Sequence, residues 1–193
     1  MTESDLIAAL RPVADALEAL GVRYHIGGSL ASSAHGVARA SIDADVIAEL
    51  GPNHVDAFVR RLAPAYYIPV DRVRTAVDDR RSFNLIHLET MFKIDVFVSR
   101  GRPFDRQATE RARPQMLGET PDMRPFPVAS AEDTVLAKLE WFRAGGQTSE
   151  RQWWDIVGIL KVAADADREY LRLWARSLEV EDLLDRALAD ART

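Results

Sequence analysis

The sequence has 193 residues, 47% of them hydrophobic and 28% charged, with a net charge of −5. That is the profile of an ordinary globular protein, long enough for one substantial domain or a compact domain with a smaller appendage. No cysteine is present, which excludes disulfides, thiolate zinc sites and cysteine nucleophiles and leaves oxygen or imidazole to bind any metal.

Residues 4–20 repeat apolar positions at helical spacing (Leu6, Ile7, Leu10, Val13, Leu17, Leu20), and Gly21 stands where such a helix stops. Early charges at Glu3 and Asp5 are unlike a signal peptide, and no later run is long enough to span a membrane, so a cytoplasmic location without membrane contact is expected. Val22 to Ile26 reads as a strand. It runs into Gly27-Gly28-Ser29, after which SLASSAH reads as a short helix capped by Ser29. IDADVIA (42–48) is a second strand, broken by Gly51-Pro52-Asn53, and HVDAFVRRLA follows as an amphipathic helix. Around 71–80 the pattern permits a short helix. SFNLIHLE and MFKIDVFV are strands joined at Glu89-Thr90 as a hairpin. A polar stretch with Pro103, Pro114, Pro121, Pro125 and Pro127 separates this half from an all-helical remainder, with helices near 131–143, 149–163, 167–177 and 179–191. Ser130-Ala-Glu-Asp133 resembles a capping box at the start of the first. An α/β (α+β) core over 1–127 with a small helical domain over 128–193 is therefore expected.

Side chains two apart on a strand share a face, so Asp43 and Asp45 stand side by side while Ile42, Ala44 and Val46 face the core. In FKIDVFV, Phe92, Ile94, Val96 and Val98 take one face, and Asp95 lies on the other with Lys93 and Phe97. Carboxylates within apolar strands need a counter-charge, because an unpaired buried charge is costly and neighbouring carboxylates repel. A hard divalent ion meets that need, and magnesium held by a few carboxylates plus substrate phosphates fits best. Two such ions suit an in-line displacement that releases pyrophosphate. The plainer alternative pairs these aspartates with arginines such as Arg39. Gly27-Gly28-Ser29 shifts the balance toward the metal. The turn follows a strand and opens a helix, so its backbone N–H groups, and the Ser29 hydroxyl, face whatever binds there, and glycine permits close approach to a phosphate.

GGSLASSAHGVARASIDAD followed by KIDVFV resembles the polymerase-beta-type nucleotidyltransferase superfamily, whose signature is Gly-Ser, a spacer and Asp-x-Asp or Asp-x-Glu. Arg39-Ala-Ser-Ile-Asp43-Ala-Asp45 is similar to its small AbiEii-like group, which includes toxin components of bacterial toxin–antitoxin and phage-defence systems. The resemblance implies a mixed, twisted sheet flanked by helices, a triphosphate held at Gly28 and Ser29, magnesium bound by Asp43 and Asp45, and Asp95 as third carboxylate, aiding deprotonation of an acceptor hydroxyl. Ala137-Lys138-Leu139, then Arg151 and Asp155, is similar to the group's lysine and aspartate motifs, in which the lysine is expected to contact nucleotide phosphate. The plainer readings are a surface lysine and an Asp155–Arg151 pair one turn apart. The match spans about residues 22–160. It departs from the pattern in a long Ser29-to-Asp43 spacer and in Ala44, where a bulkier aliphatic is usual.

His25, His35, His54 and His87 lack zinc-ligand spacing, and Trp141, Trp153, Trp154 and Trp174 read as packing residues. Neither a serine-hydrolase elbow nor a P-loop occurs. The expected activity is magnesium-dependent transfer of a nucleoside monophosphate from an NTP such as ATP to an acceptor hydroxyl. An RNA or tRNA 3′ end, with a cognate antitoxin as partner, would need a basic groove. Arginines do cluster at Arg60, Arg61, Arg72, Arg74, Arg80 and Arg81, and again at Arg100, Arg102, Arg106, Arg111 and Arg113, although solvated faces and loops are expected of most. A small-molecule, antibiotic-type acceptor suits the acidic charge. A non-catalytic nucleotide-binding protein retaining the fold is the third alternative.

Overall fold

The computed structural model describes residues 3–37, 43–118 and 124–192. Helix α1 (Glu3–Ala19) leads into β1 (Tyr24–Ile26), α2 (Gly28–Ala34) and β2 (Asp43–Ala48). A single 3-10 turn then opens α3 (Val55–Leu62), which is followed by β3 (Tyr66–Tyr67), α4 (Val70–Asp78), β4 (Ser82–His87) and β5 (Lys93–Val98). The chain continues through α5 (Pro103–Arg111), β6 (Arg113–Gln115) and β7 (Phe126–Val128) into four helices, α6 (Ala131–Ala144), α7 (Glu150–Val162), α8 (Arg168–Ser177) and α9 (Glu181–Asp190).

The strands form one mixed sheet in the order β3-β4-β5-β2-β1-β7-β6. β2 runs parallel to β5 and antiparallel to β1, and β4 and β5 form the expected hairpin. Alternation decides which way each strand faces. Ala44, Val46, Ile94 and Val96 are at most 1% exposed and join a core with α1, α3 and α4, whose buried residues include Leu10, Phe58 and Val73. The opposite face of β2 and β5 carries Asp43, Asp45, Lys93 and Asp95, only half-buried. Helix α2 packs on this side of β2, and α6 packs on α2.

A second apolar cluster lies among the C-terminal helices, around Leu136, Leu139, Ile156, Leu171 and Leu184. Phe104 and Ala108 of α5 belong to it, so α5 gives its apolar residues to the helical cluster. Among the described residues, no helix is long and apolar enough to cross a membrane.

Two local expectations are corrected. Helix α2 begins at Gly28 with Gly27 at its N-cap, so Ser29 lies within the first turn and does not cap it. The first strand is shorter than Val22–Ile26, because Val22 closes the preceding turn through a bond from its N–H to the Leu17 carbonyl. The Ser130 cap is present: its Oγ accepts from the Asp133 N–H at 3.1 Å and donates to Asp133 Oδ2 at 2.8 Å.

Candidate active site

The parallel register of β2 and β5 sets Asp45 directly opposite Asp95, and Asp43 opposite Lys93. Neighbouring strands lie about 4.8 Å apart, so two carboxylates face each other across the ladder with a third two residues away. Burial raises the Asp45 pKa to about 6, with Asp43 and Asp95 adding to the rise and Lys138 and Lys93 partly offsetting it. Repulsion among the three carboxylates is thus written into the site.

Gly27 and Gly28 are there for closeness. The Gly27 N–H donates to the Asp45 carbonyl at 3.0 Å, stitching the turn to β2. Gly28 has φ +56°, and a Cβ on it would lie 1.5 Å from Asp45 Oδ2. Only glycine lets this turn touch the carboxylate. Ser29 follows in the first turn of α2 and is only 9% exposed.

Lys93 supplies the local counter-charge. Its Nζ lies 2.6 Å from Asp95 Oδ2 and 3.7 Å from Asp43 Oδ2. The hydrogen bond to Asp95 raises the lysine's pKa, and Asp43 adds to the rise. Arg39, the other proposed counter-charge, lies outside the described residues, as does Ile42.

The remaining two candidates meet each other. Lys138 Nζ on α6 lies 2.9 Å from Asp155 Oδ2 on α7, and the residues are 9% and 4% exposed. Lys138 is therefore a buried lysine whose charge reaches Asp45, and its carboxylate partner is Asp155. One turn further along α6, Trp141 meets Phe97 of β5 edge-on, with ring centroids 5.7 Å apart. Phe97 shares the face of Lys93 and Asp95, so α6 covers the carboxylate side of the sheet with a lysine and an indole.

Magnesium takes hard oxygen ligands, and Asp43, Asp45 and Asp95 are carboxylate donors of that kind on this face. Among the described residues, no three acidic or histidine side chains already close on one point. The donor chemistry fits a divalent ion, while the room between Asp43 and Asp95 is taken by the Lys93 ammonium.

No protein-family model matches the sequence, and no curated protein matches it. Among solved structures, the chain is similar to the antibiotic-resistance factor ANT(2'')-Ia, at 15% identity and a TM-score of 0.56, over 91% of this chain and 94% of that one. It is also similar to an antigenic nucleotidyltransferase-like protein from Paracoccidioides brasiliensis, at 15% identity and a TM-score of 0.55, over 97% and 93%. The chain has the nucleotidyltransferase fold. Within that fold, the Gly27–Ser29 turn and the three aspartates lie together on the face covered by α2 and α6.

Several residues outside this cluster are tied into the fold. His25 is buried and bonded to Thr109 Oγ1, and burial lowers its pKa to about 4. His35 Nε2 lies 2.7 Å from the Ala129 carbonyl. Many arginines are held in the protein's own pairs and bonds: Arg74 with Asp56 and Asp71, Arg80 with the Ser99 carbonyl, Arg81 with Asp79, Arg102 with Asp105 and Glu140, and Arg111 with Glu132 and Asp133. A recess of about 250 Å³ beside Arg102, Phe104 and Leu178 is bounded by the already paired Arg102 and Glu140. Lys93 lies on the carboxylate face as expected but with a role that composition does not reveal, and Trp141, expected to be packing alone, stands over that face. The alternation in KIDVFV and the three-residue step from Lys138 to Trp141 on one helix were the available signals.

Proposed function

We propose that the protein is a magnesium-dependent nucleotidyltransferase that moves a nucleoside monophosphate from an NTP to an acceptor hydroxyl. The carrying observation is the Asp45–Asp95 pairing across parallel strands, with the Gly28 turn pressed against Asp45. Asp43, Asp45 and Asp95 would hold the divalent ions, which when bound neutralise charge on the phosphates during displacement. In this reading Gly28 and Ser29 would offer the triphosphate backbone N–H groups and a hydroxyl, Gly27, whose N–H is spent on the Asp45 carbonyl, would hold the turn against β2, and Lys138 would add a positive charge. Asp95 accepts the proton of the acceptor hydroxyl, whose oxygen forms the new bond to the α-phosphorus as the bond to pyrophosphate breaks.

The acceptor fits a small molecule better than RNA. Four of the clustered arginines, Arg74, Arg81, Arg102 and Arg111, are held in intramolecular ion pairs, and the similar ANT(2'')-Ia is an antibiotic-resistance factor. One observation favours the other reading, an AbiEii-like toxin acting on an RNA 3′ end with a cognate antitoxin: Lys138 and Asp155, the two helical motif residues, are joined in one pair.

The test incubates the protein with magnesium and each α-labelled NTP, beside total tRNA or a panel of hydroxylated antibiotics. Label on a small molecule with wild type, and none with Asp45→Asn, is the expected result. Label on tRNA selects the toxin-type reading. Metal-dependent NTP binding without transfer to any acceptor makes the protein a non-catalytic nucleotide binder.

A further inference from the structure

We infer that Lys93 is an internal counter-ion that occupies the space between Asp43 and Asp95 and must leave it before a divalent ion can bind. This rests on the reading of the aspartates as metal ligands. The lysine is built into the site by register, since Lys93 and Asp43 are Cα partners across the ladder and Asp95 is two residues further along the same face. Its ammonium touches Asp95 at 2.6 Å and reaches Asp43 at 3.7 Å. No cation can use both of those oxygens while the ammonium bridges them.

Geometry also gives the lysine an exit. Its side chain is 40% exposed, against 20% for Asp95, and a four-carbon stem lets the head swing into solvent while its base stays on the strand. Asp45 is not part of this bridge, because its Oδ2 lies against Gly28. The donor set is thereby divided, with one carboxylate at the glycine turn and two around the lysine. A divalent ion arriving alone has to break the Lys93–Asp95 contact for its binding energy, and so binds weakly. An ion arriving with a nucleotide brings phosphate oxygens as further ligands and meets that cost more easily. The consequence is a site that resists charging with metal until substrate is present.

Binding of Mn2+ alone to the purified protein, followed by the paramagnetic signal of the free ion, tests this without any turnover. Lys93→Met is expected to bind at least tenfold more tightly than wild type. Lys93→Arg, which keeps the charge, should bind as weakly as wild type. Adding Asp95→Asn to Lys93→Met should abolish the gain and so locate it. Thermal melting of the same variants guards against misfolding. Lys93→Met should melt lower than wild type without metal, because the carboxylates lose their counter-charge, and should gain more from Mn2+ than wild type does. Equal affinity in wild type and Lys93→Met, weaker binding in Lys93→Met, or an unfolded Lys93→Met that Mn2+ does not restore would each overturn the role of Lys93. Absence of Mn2+ binding from every variant overturns the metal-site reading itself, and this inference with it.

Discussion

At Gly28 two independent constraints fall on one residue. Its φ of +56° lies in the left-handed region, and its Cα side faces the Asp45 carboxylate so closely that any Cβ would overlap Oδ2. Gly28→Ala must both adopt a backbone that costs about 1 kcal/mol for an L side chain and push Asp45 off its present rotamer. A total loss of roughly 2 kcal/mol or more is expected in urea unfolding, with nucleotidyl transfer falling by at least about 100-fold because the displaced group is a proposed ligand. Gly21 is the control. It too has positive φ, but nothing lies within 4 Å of its added Cβ, so Gly21→Ala should show the backbone cost alone and keep full activity. If both variants lose the same stability and neither loses activity, the contact between turn and carboxylate has no functional weight.

The pairing of α6 with α7 is fixed in part by Lys138 and Asp155, a buried ion pair at 2.9 Å. Removing one partner leaves a buried charge and costs about 3–5 kcal/mol, whereas replacing both with apolar groups of similar volume is often nearly neutral. Lys138→Met and Asp155→Leu are each expected to destabilise strongly, and the double variant to recover most of the loss in a denaturant cycle. The double variant also separates structure from chemistry. If Lys138 serves the nucleotide phosphate, the restored fold will remain inactive; if the pair only joins two helices, activity returns with stability. Such a pair is invisible to a local reading, because 17 residues separate its members, and the nearer candidate for Asp155 was Arg151. The same distinction explains which elements could be read from the chain. Long periodic segments such as α1, α6, α7 and the β4–β5 hairpin announce themselves through alternation or helical spacing. By contrast β6 and β7 have three residues each and hold Pro114 and Pro127, which argue against strands by composition. They exist because β1 offers an open edge, to which Val128 adds opposite Ile26. Helix α5 lies inside the proline-rich stretch yet carries legible marks: Pro103 in the first turn, and Asp105, whose Oδ2 accepts the Arg102 N–H at 3.0 Å.

On the scale of the whole molecule, charge separates the two acceptor readings. The net charge is −5, and ion pairs such as Arg74–Asp56, Arg102–Glu140 and Arg124–Glu18 consume cations that RNA would otherwise meet. Sequence could list those arginines but could not pair them, since their partners are set by the packing of separate elements; the aspartates of the site, by contrast, lie on strands whose alternation fixed their face in advance. A protein that grips RNA through six to ten phosphate contacts loses roughly 10³–10⁵ in affinity between 50 and 200 mM salt, through release of condensed counterions. A small acceptor, as proposed above, would release few ions. Its KM is therefore expected to change by less than about threefold over the same salt range, once magnesium and NTP are held fixed, because screening acts on only a charge or two. The measurement is a salt series of transfer rates with the acceptor found in the labelling experiment. A steep, linear fall of log(kcat/KM) with log salt would show that a polyanion is being recognised, and would return the paired arginines to the role of a groove that opens when RNA displaces their carboxylate partners.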